Sequence, residues 1–246
     1  MPRSLRAFDL PPPFRLVALR EAGDAFAHAC THAAELGAGT LVFVGRFDLA
    51  EFAVVLEPEE ALATARCAFY AGMTALTDAL AALAPPETPI TIEWPDRLEV
   101  GHRLVGGGRL GWPQPADERE RPDWLVFGAV IRLVSAVSGK IALDRLSTSL
   151  TDEGFVEIGA EGLVERFARH LMATINRWQT GEFGAIARDF LVRLRPEPGI
   201  RRHLDPGGDL WIERQGEPVT SLELRTALSA PSWVEAKPLD REDHPR

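Results

Sequence analysis

Residues 90–108 read Ile-Thr-Ile-Glu-Trp94-Pro95-Asp96-Arg97-Leu-Glu-Val-Gly-His-Arg103-Leu-Val-Gly106-Gly107-Gly108. A short apolar strand ends in Trp-Pro-acid, turns, and returns into three consecutive glycines. Glycines inside a strand weaken it, so their presence indicates either backbone opened to a ligand or a bulge where the sheet bends. Arginine binds carboxylate or phosphate through a planar pair of donors, which makes Arg46, Arg97, Arg103 and Arg109 candidate anion ligands. Solvent exposure is the alternative for each in so arginine-rich a chain. Asp96 can hold Mg²⁺ or a ribose hydroxyl, or simply shape the turn.

A second candidate surface lies on residues 123–134, Asp-Trp-Leu-Val-Phe-Gly-Ala-Val-Ile-Arg-Leu-Val. Two-residue alternation puts Leu125, Phe127, Ala129, Ile131 and Leu133 on one wholly apolar face. The other face carries Trp124, Val126, Gly128, Val130 and Arg132. A face that combines a bare glycine with a fixed cationic fork is suited to a ligand. His28 and His32 have the spacing of two zinc ligands on a helix, but without a glutamate between them or a clear third ligand they read as a structural or solvated pair. Cys67 reads as a buried, inert thiol, and Ser147, Thr148 and Ser149 as loop or cap residues with no visible His/Asp partner.

The elements that must position these groups follow from periodicity and breakers. Residues 24–36 predict a helix, capped by Asp24 and stopped at Gly37. Two β-branched runs, 40–45 and 52–56, predict paired strands joined through Arg46-Phe47-Asp48-Leu49. From Glu59 to Ala84 the apolar positions Leu62, Ala65, Phe69, Met73, Leu76, Leu80 and Leu83 recur at three and four, predicting one long helix begun at Pro58 and ended by Pro85-Pro86. Residues 114–122 form a charged loop. Two further helices are expected at 161–180 and 183–195. Pro196-Glu197-Pro198-Gly199 forbids helix continuation and marks a domain boundary. Beyond it a turn at Asp205-Pro-Gly-Gly-Asp209, a strand at Leu210-Trp211-Ile212, a return strand near Val219 and a short helix at 221–229 suggest a small C-terminal module. The last dozen residues, charged and proline-bearing, read as a disordered tail.

The 90–108 hairpin resembles the ligand-site hairpin of the biotin/lipoate protein ligase family, which carries a Trp-Pro-Asn-Asp strand end, a short turn, a lysine and a small-residue pair. The element order over residues 14–195 is similar as well. The resemblance implies an α+β fold, a mixed sheet packed by helices and related to class II aminoacyl-tRNA synthetases. It also implies a reaction in which ATP, with Mg²⁺, and a small carboxylic acid such as biotin, lipoate or octanoate form an acyl-adenylate that is passed to a lysine of a biotinyl or lipoyl carrier domain. On this reading Gly106, Gly107 and Gly108 floor the pocket, Trp94 walls it and Arg103 meets the carboxylate, with Asp96, Gly128, Arg132 and Arg46 lining it. Four departures stand out. Arg103 replaces the lysine, exchanging a point charge for a planar fork. Gly45-Arg46-Phe47-Asp48 stands where the family has a longer glycine- and arginine-rich loop. Ala22-Gly23-Asp24 replaces Ser-Thr-Asn at the first helix, and Trp94-Pro95-Asp96-Arg97 keeps one carboxylate of two. A catalytically inactive binding or adaptor protein on the same fold is the alternative.

The chain's 246 residues, 46% hydrophobic, suffice for one sizeable domain at 1–195 and a small one at 196–246. A formal net charge of −9 disfavours nucleic acid and anionic membranes as partners. No run approaches the ~18 apolar residues of a membrane span. Lys140 and Lys237 are the only lysines, and two cysteines, Cys30 and Cys67, make no disulfide framework, which fits a reducing cytoplasm.

Overall fold

The computed structural model describes residues 8–21, 23–135, 148–156, 158–180 and 183–234. Ala22, Ser147 and the expected tail therefore lie outside the described residues. In chain order the elements are β1 (Arg15–Leu19), α1 (Ala25–Leu36), β2 (Thr40–Val44), β3 (Leu49–Leu56), α2 (Leu62–Ala65), α3 (Ala68–Ala81), β4 (Ile90–Glu93), β5 (Arg97–Val100), β6 (Arg103–Gly111), β7 (Leu125–Arg132), α4 (Ala160–Thr180), α5 (Phe183–Arg193), β8 (Ile200–Leu204), β9 (Leu210–Arg214), β10 (Thr220–Leu222) and α6 (Leu224–Ala227).

Seven strands form one sheet in the order β1-β2-β3-β7-β6-β5-β4. Only β1 and β2 run parallel, so the sheet is mixed and the fold is α+β. The odd-numbered residues of β7, Leu125, Phe127, Ala129 and Ile131, are fully or almost fully buried in the main core with α3 and α4. Phe127 stacks on Phe167 of α4 with centroids 5.7 Å apart. A Cβ on Gly72 of α3 would stand 2.4 Å from the Phe127 ring, so that glycine lets the helix settle directly on the sheet.

On the opposite face α1 packs alone among the described helices, burying Ala25, Ala29 and Ala33 at a spacing of four against Val42, Val44, Ala53, Val55 and Val126. Its ends are as expected. The Asp24 side chain accepts from Ala27 N at 2.9 Å, and Gly37 closes the helix at φ 69°.

Three expectations are corrected. The single helix over 59–84 is two, α2 and α3, separated at Arg66 and Cys67. The first N–H groups of α2 bond outward, Leu62 N to Glu120 O at 2.9 Å and Ala63 N to Glu118 O at 3.0 Å, so the 114–122 loop replaces the helical turn that Glu59 and Glu60 would have made. Across the junction the bonds tighten to three-residue steps, Cys67 N to Thr64 O and Tyr70 N to Cys67 O. The apolar positions still point inward, because Leu62, Ala65, Phe69, Met73, Leu76 and Leu80 all join the core. The hairpin at 90–108 is likewise three strands, β4, β5 and β6, with the Trp94-Pro95-Asp96 turn before the second. Finally, β1 and β8 form where no strand was expected.

The C-terminal strands make a separate sheet, β10-β9-β8. Asp205 builds its turn by accepting from Gly207 N and Asp209 N through one oxygen and from Trp211 Nε1 through the other. The turn docks on α3, where Tyr70 Oη donates to Gly208 O at 2.5 Å, and Leu210 and Leu224 enter the main core. Phe127 lies at the centre of the larger core, so Phe127→Ala is expected to lower unfolding free energy by about 3–5 kcal/mol, read as a reduced denaturant midpoint with an unchanged m-value.

Candidate functional site

The even-numbered residues of β7 face the α1 side, and α1 covers only part of them. Phe26, in the first turn of the helix, lies on Gly128 and Gly111: added Cβ atoms would come within 2.6 and 2.9 Å of its ring. Arg109 stacks on that ring, its guanidinium carbon 4.2 Å from the centroid, and pairs with Asp24 at 3.0 Å. Past the helix start the next row across the sheet is Glu51, Val130, Gly107 and Arg97, followed by Leu49 beside Arg132. Val130 and Arg132 are half-buried. Glu51, 8% exposed, receives Ala25 N at 3.0 Å and so caps α1 from the sheet beneath.

The three glycines of β6 do three different jobs. A Cβ on Gly108 would point to the helix side, 2.5 Å from Met73 Sδ. Gly106 has φ 152°, and a Cβ there would be 1.9 Å from Val130 O. Gly107 alone presents its backbone to the α1 side, where a Cβ would meet Asp96 O at 2.1 Å and Trp233 Cδ1 at 2.3 Å. The continuous three-residue floor is thus reduced to Gly107. The bulge alternative is present, since Leu98 pairs with Gly106 while Glu99 pairs with Leu104, leaving Val105 as the extra residue.

The bulge also decides where Arg103 goes. Arg103 pairs with Val100, a residue of the helix-side core, and is out of phase with Gly107. Its guanidinium, about half exposed, forms an ion pair with Glu153, which also accepts from Thr148 Oγ1 at 2.7 Å. Arg103 is therefore not brought beside Gly107. Trp94 is on the helix side too, donating through Nε1 to Tyr70 Oη at 3.1 Å. Burial pushes the Tyr70 phenol up, keeping it a neutral donor to Gly208 O.

Asp96 is 2% exposed and is spent on the C-terminal segment. One oxygen accepts from Ser232 N at 2.7 Å and the other from Ser232 Oγ. Arg97 donates to Ser232 O at 3.4 Å, and Trp233 Nε1 donates to Gly108 O at 2.9 Å. Desolvation raises the Asp96 carboxyl above the ordinary carboxylate range, opposed by the Ser232 hydrogen bonds. With both oxygens engaged, Asp96 does not fit a magnesium ligand, and no group of three or more His, Cys, Asp or Glu among the described residues is arranged around a metal position. His28 and His32 stack with centroids 4.4 Å apart, and burial pushes the Cys30 and Cys67 thiols up to about 11 and about 12.

The structure does bring Arg46 and Arg132 to one end of the site. Arg46 grips Asp48 through Nε at 3.1 Å and Nη2 at 2.9 Å, which holds the Asp48 carboxyl below its usual range. Asp48 O accepts Leu133 N at 2.8 Å, tying the β2–β3 loop to the end of β7. Among the described residues no carboxylate forms an ion pair with Arg132. Sequence reasoning missed Glu51, Phe26, Glu153, Ser232 and Trp233. A carboxylate inside the apolar run of β3 was a usable signal for Glu51. Nothing local marks Trp233, whose partners lie over a hundred residues away.

The chain and its fold have relatives among known proteins. The model for the biotin/lipoate A/B protein ligase family matches residues 10–192. The chain belongs to that family. It is similar to the crystal structure of a biotin protein ligase-like protein of unknown function from Silicibacter sp. TM1040, with 28% identity, a TM-score of 0.79, and coverage of 91% of this chain and 100% of the other. The fold is shared with the biotin protein ligase from Aquifex aeolicus in complex with biotin and ATP, at 14% identity and TM-score 0.64 over 85% of this chain and 95% of that one. It is shared also with the Leishmania major biotin protein ligase in complex with biotinyl-5-AMP, at 17% identity and TM-score 0.53 over 87% and 99%. A comparison with curated proteins gave no match. No helix among the described residues is long and apolar enough to cross a membrane.

Two outcomes follow from the Asp96–Gly107 contact. Gly107→Ala sets a methyl against a backbone oxygen as well as the indole, and is expected to cost about 1–3 kcal/mol and to increase amide hydrogen exchange at Ser232 and Trp233. A carboxyl raised by burial contributes its stability below its unfolded pKa of about 3.9 and loses it as pH rises through the raised value. The stability of wild type relative to Asp96→Asn should accordingly fall as pH rises across the acidic range, in paired denaturant titrations.

Proposed function

We propose that this protein binds a small carboxylic acid of the biotin, lipoate or octanoate type, or its adenylate, on the α1 side of the sheet beside Val130 and Gly107. The observation that carries the reading is Arg132, a half-buried guanidinium at the end of that open row with no paired carboxylate among the described residues. A partly buried guanidinium that no described carboxylate meets at ion-pair distance, Asp48 acting on it only at longer range and already gripped by Arg46, favours an anionic ligand, since a carboxylate fits its donor fork. Family membership supports the ligand class, as do structural relatives that carry biotin, ATP or biotinyl-AMP. In the reaction so implied, a carboxylate oxygen attacks the α-phosphorus of ATP and pyrophosphate leaves; a carrier lysine then displaces AMP from the acyl carbon. Cations near the leaving charge are what such a site must supply, a role this reading gives to Arg132, with Arg46 available only if a ligand displaces Asp48 from it. Residues 1–195 would form the ligase-like domain, 196–246 a small C-terminal one, acting in the cytoplasm.

A binding or adaptor role without turnover is favoured by one specific observation. Arg103, the hairpin cation, is turned away to Glu153 by the bulge. ATP–pyrophosphate exchange with Mg²⁺ and biotin, lipoate or octanoate separates the two readings: exchange with one acid establishes an adenylating enzyme, and binding by calorimetry without exchange establishes the adaptor. In either case Arg132→Ala is expected to weaken acid binding about tenfold to a hundredfold, as loss of a charge-assisted hydrogen bond does. Arg103→Ala should leave it within about twofold, as befits an exposed ion pair. The reverse pattern would return the anchor role to Arg103.

A further inference from the structure

We propose that Trp233, supplied by the C-terminal segment, is a selectivity-determining residue of the acid site, an indole wall across Gly107 that limits how far the ligand's acyl group extends. The inference rests on the acid-binding reading above and concerns which acids that site accepts.

Pairing puts Val130 directly opposite Gly107 and Arg132 two positions further along β7, about 7 Å away at strand spacing. An acyl group that runs along β7 from the Arg132 end toward Val130 therefore comes to the Gly107 position. Along β7 its path is already closed, because Phe26 covers Gly128. Across the sheet, Asp96 O and the Trp233 indole together fill the space over Gly107, and the indole is the part a side-chain substitution can remove: a single methyl on Gly107 would overlap both the oxygen and Cδ1.

The indole is also held in place rather than merely resting there. β5 begins at Arg97, so the Gly108 carbonyl lies just beyond its end, and Trp233 Nε1 satisfies it at 2.9 Å. One residue earlier, Ser232 is clamped by both oxygens of Asp96, a positioning residue in this scheme, and by Arg97. Trp233 remains only half-buried, leaving ring surface for a ligand to touch. A side chain fixed by its edge and backed by a glycine sets a boundary of definite depth.

The test measures binding of hexanoate, octanoate, decanoate and dodecanoate to the full chain by titration calorimetry, for wild type, Trp233→Ala, Trp233→Leu and Trp233→Phe, with thermal melts to show that each folds. Wild type is expected to show a length beyond which affinity falls. Trp233→Ala should move that limit up by two carbons or more and bind the first acid that wild type rejects about tenfold more tightly, the gain expected from burying two further methylenes. Trp233→Leu should shift the limit in the same direction by less, which keeps the test decisive should the alanine variant not fold. Trp233→Phe keeps a ring but loses the N–H that bonds to Gly108 O, and should shift the limit upward by less than Trp233→Ala. An unchanged limit in Trp233→Ala and Trp233→Leu, or equal weakening of every acid, would overturn the proposal while leaving acid binding intact. Failure of wild type and all variants to bind any of these acids, or biotin or lipoate titrated alongside them, would overturn both readings together.

Discussion

The two-residue period of β7 is the constraint on which the rest depends. Hydrogen-bonded on both sides, by β3 and β6, the strand must commit every side chain to one face or the other. Its odd residues carry the core, with Phe127 wedged between Gly72, Gly108 and Phe167. Its even residues are thereby free to be small or charged, as Gly128 and Arg132 are. The core and the site are two readings of one strand, and a slip of a single residue would exchange them.

Charge is distributed in a way that sharpens this. Most arginines near the site have internal partners: Arg46 with Asp48, Arg97 with Glu93, Arg103 with Glu153, Arg109 with Asp24. Exposed pairs of this kind add little stability, but they neutralise the field that a row of bare guanidinium groups would create. Against that background Arg132 is distinct by its partners rather than by its residue type. The acidic side chains behave similarly. Glu51 and Asp96 are both almost fully buried on or beside the open face, and each is occupied, one by the start of α1 and the other by Ser232.

Local signals in the sequence were sufficient for α1, β2, β3, β7, α4 and α5, because caps, alternation and helical spacing are short-range properties. They were sufficient, too, to put Gly128 and Arg132 on a common face. The break between α2 and α3 was not legible, since it is made by backbone partners in the 114–122 loop and leaves the apolar spacing untouched. Nor was the divergence among Gly106, Gly107 and Gly108. Three identical residues in a row carry no information about a bulge one position earlier, and that bulge assigns each of them a different neighbour. Trp94 and Asp96 were singled out as pocket residues, whereas the partners the structure gives them, Tyr70 and Ser232, are contacts of tertiary structure.

The extra residue at Val105 works as a phase shifter. Upstream of it the side chains of β6 alternate in one frame, downstream in the opposite one, so Arg103 and Gly107, four positions apart, look to different sides of the sheet. Whether the hairpin's cation faces the Gly107 side of the sheet is thus recorded as a count of residues rather than as an amino-acid identity. Among proteins built on this frame, a one-residue insertion or deletion between the turn and the glycines can add or withdraw a charge at the site while every functional side chain is kept, a change that comparison of residue types position by position would pass over.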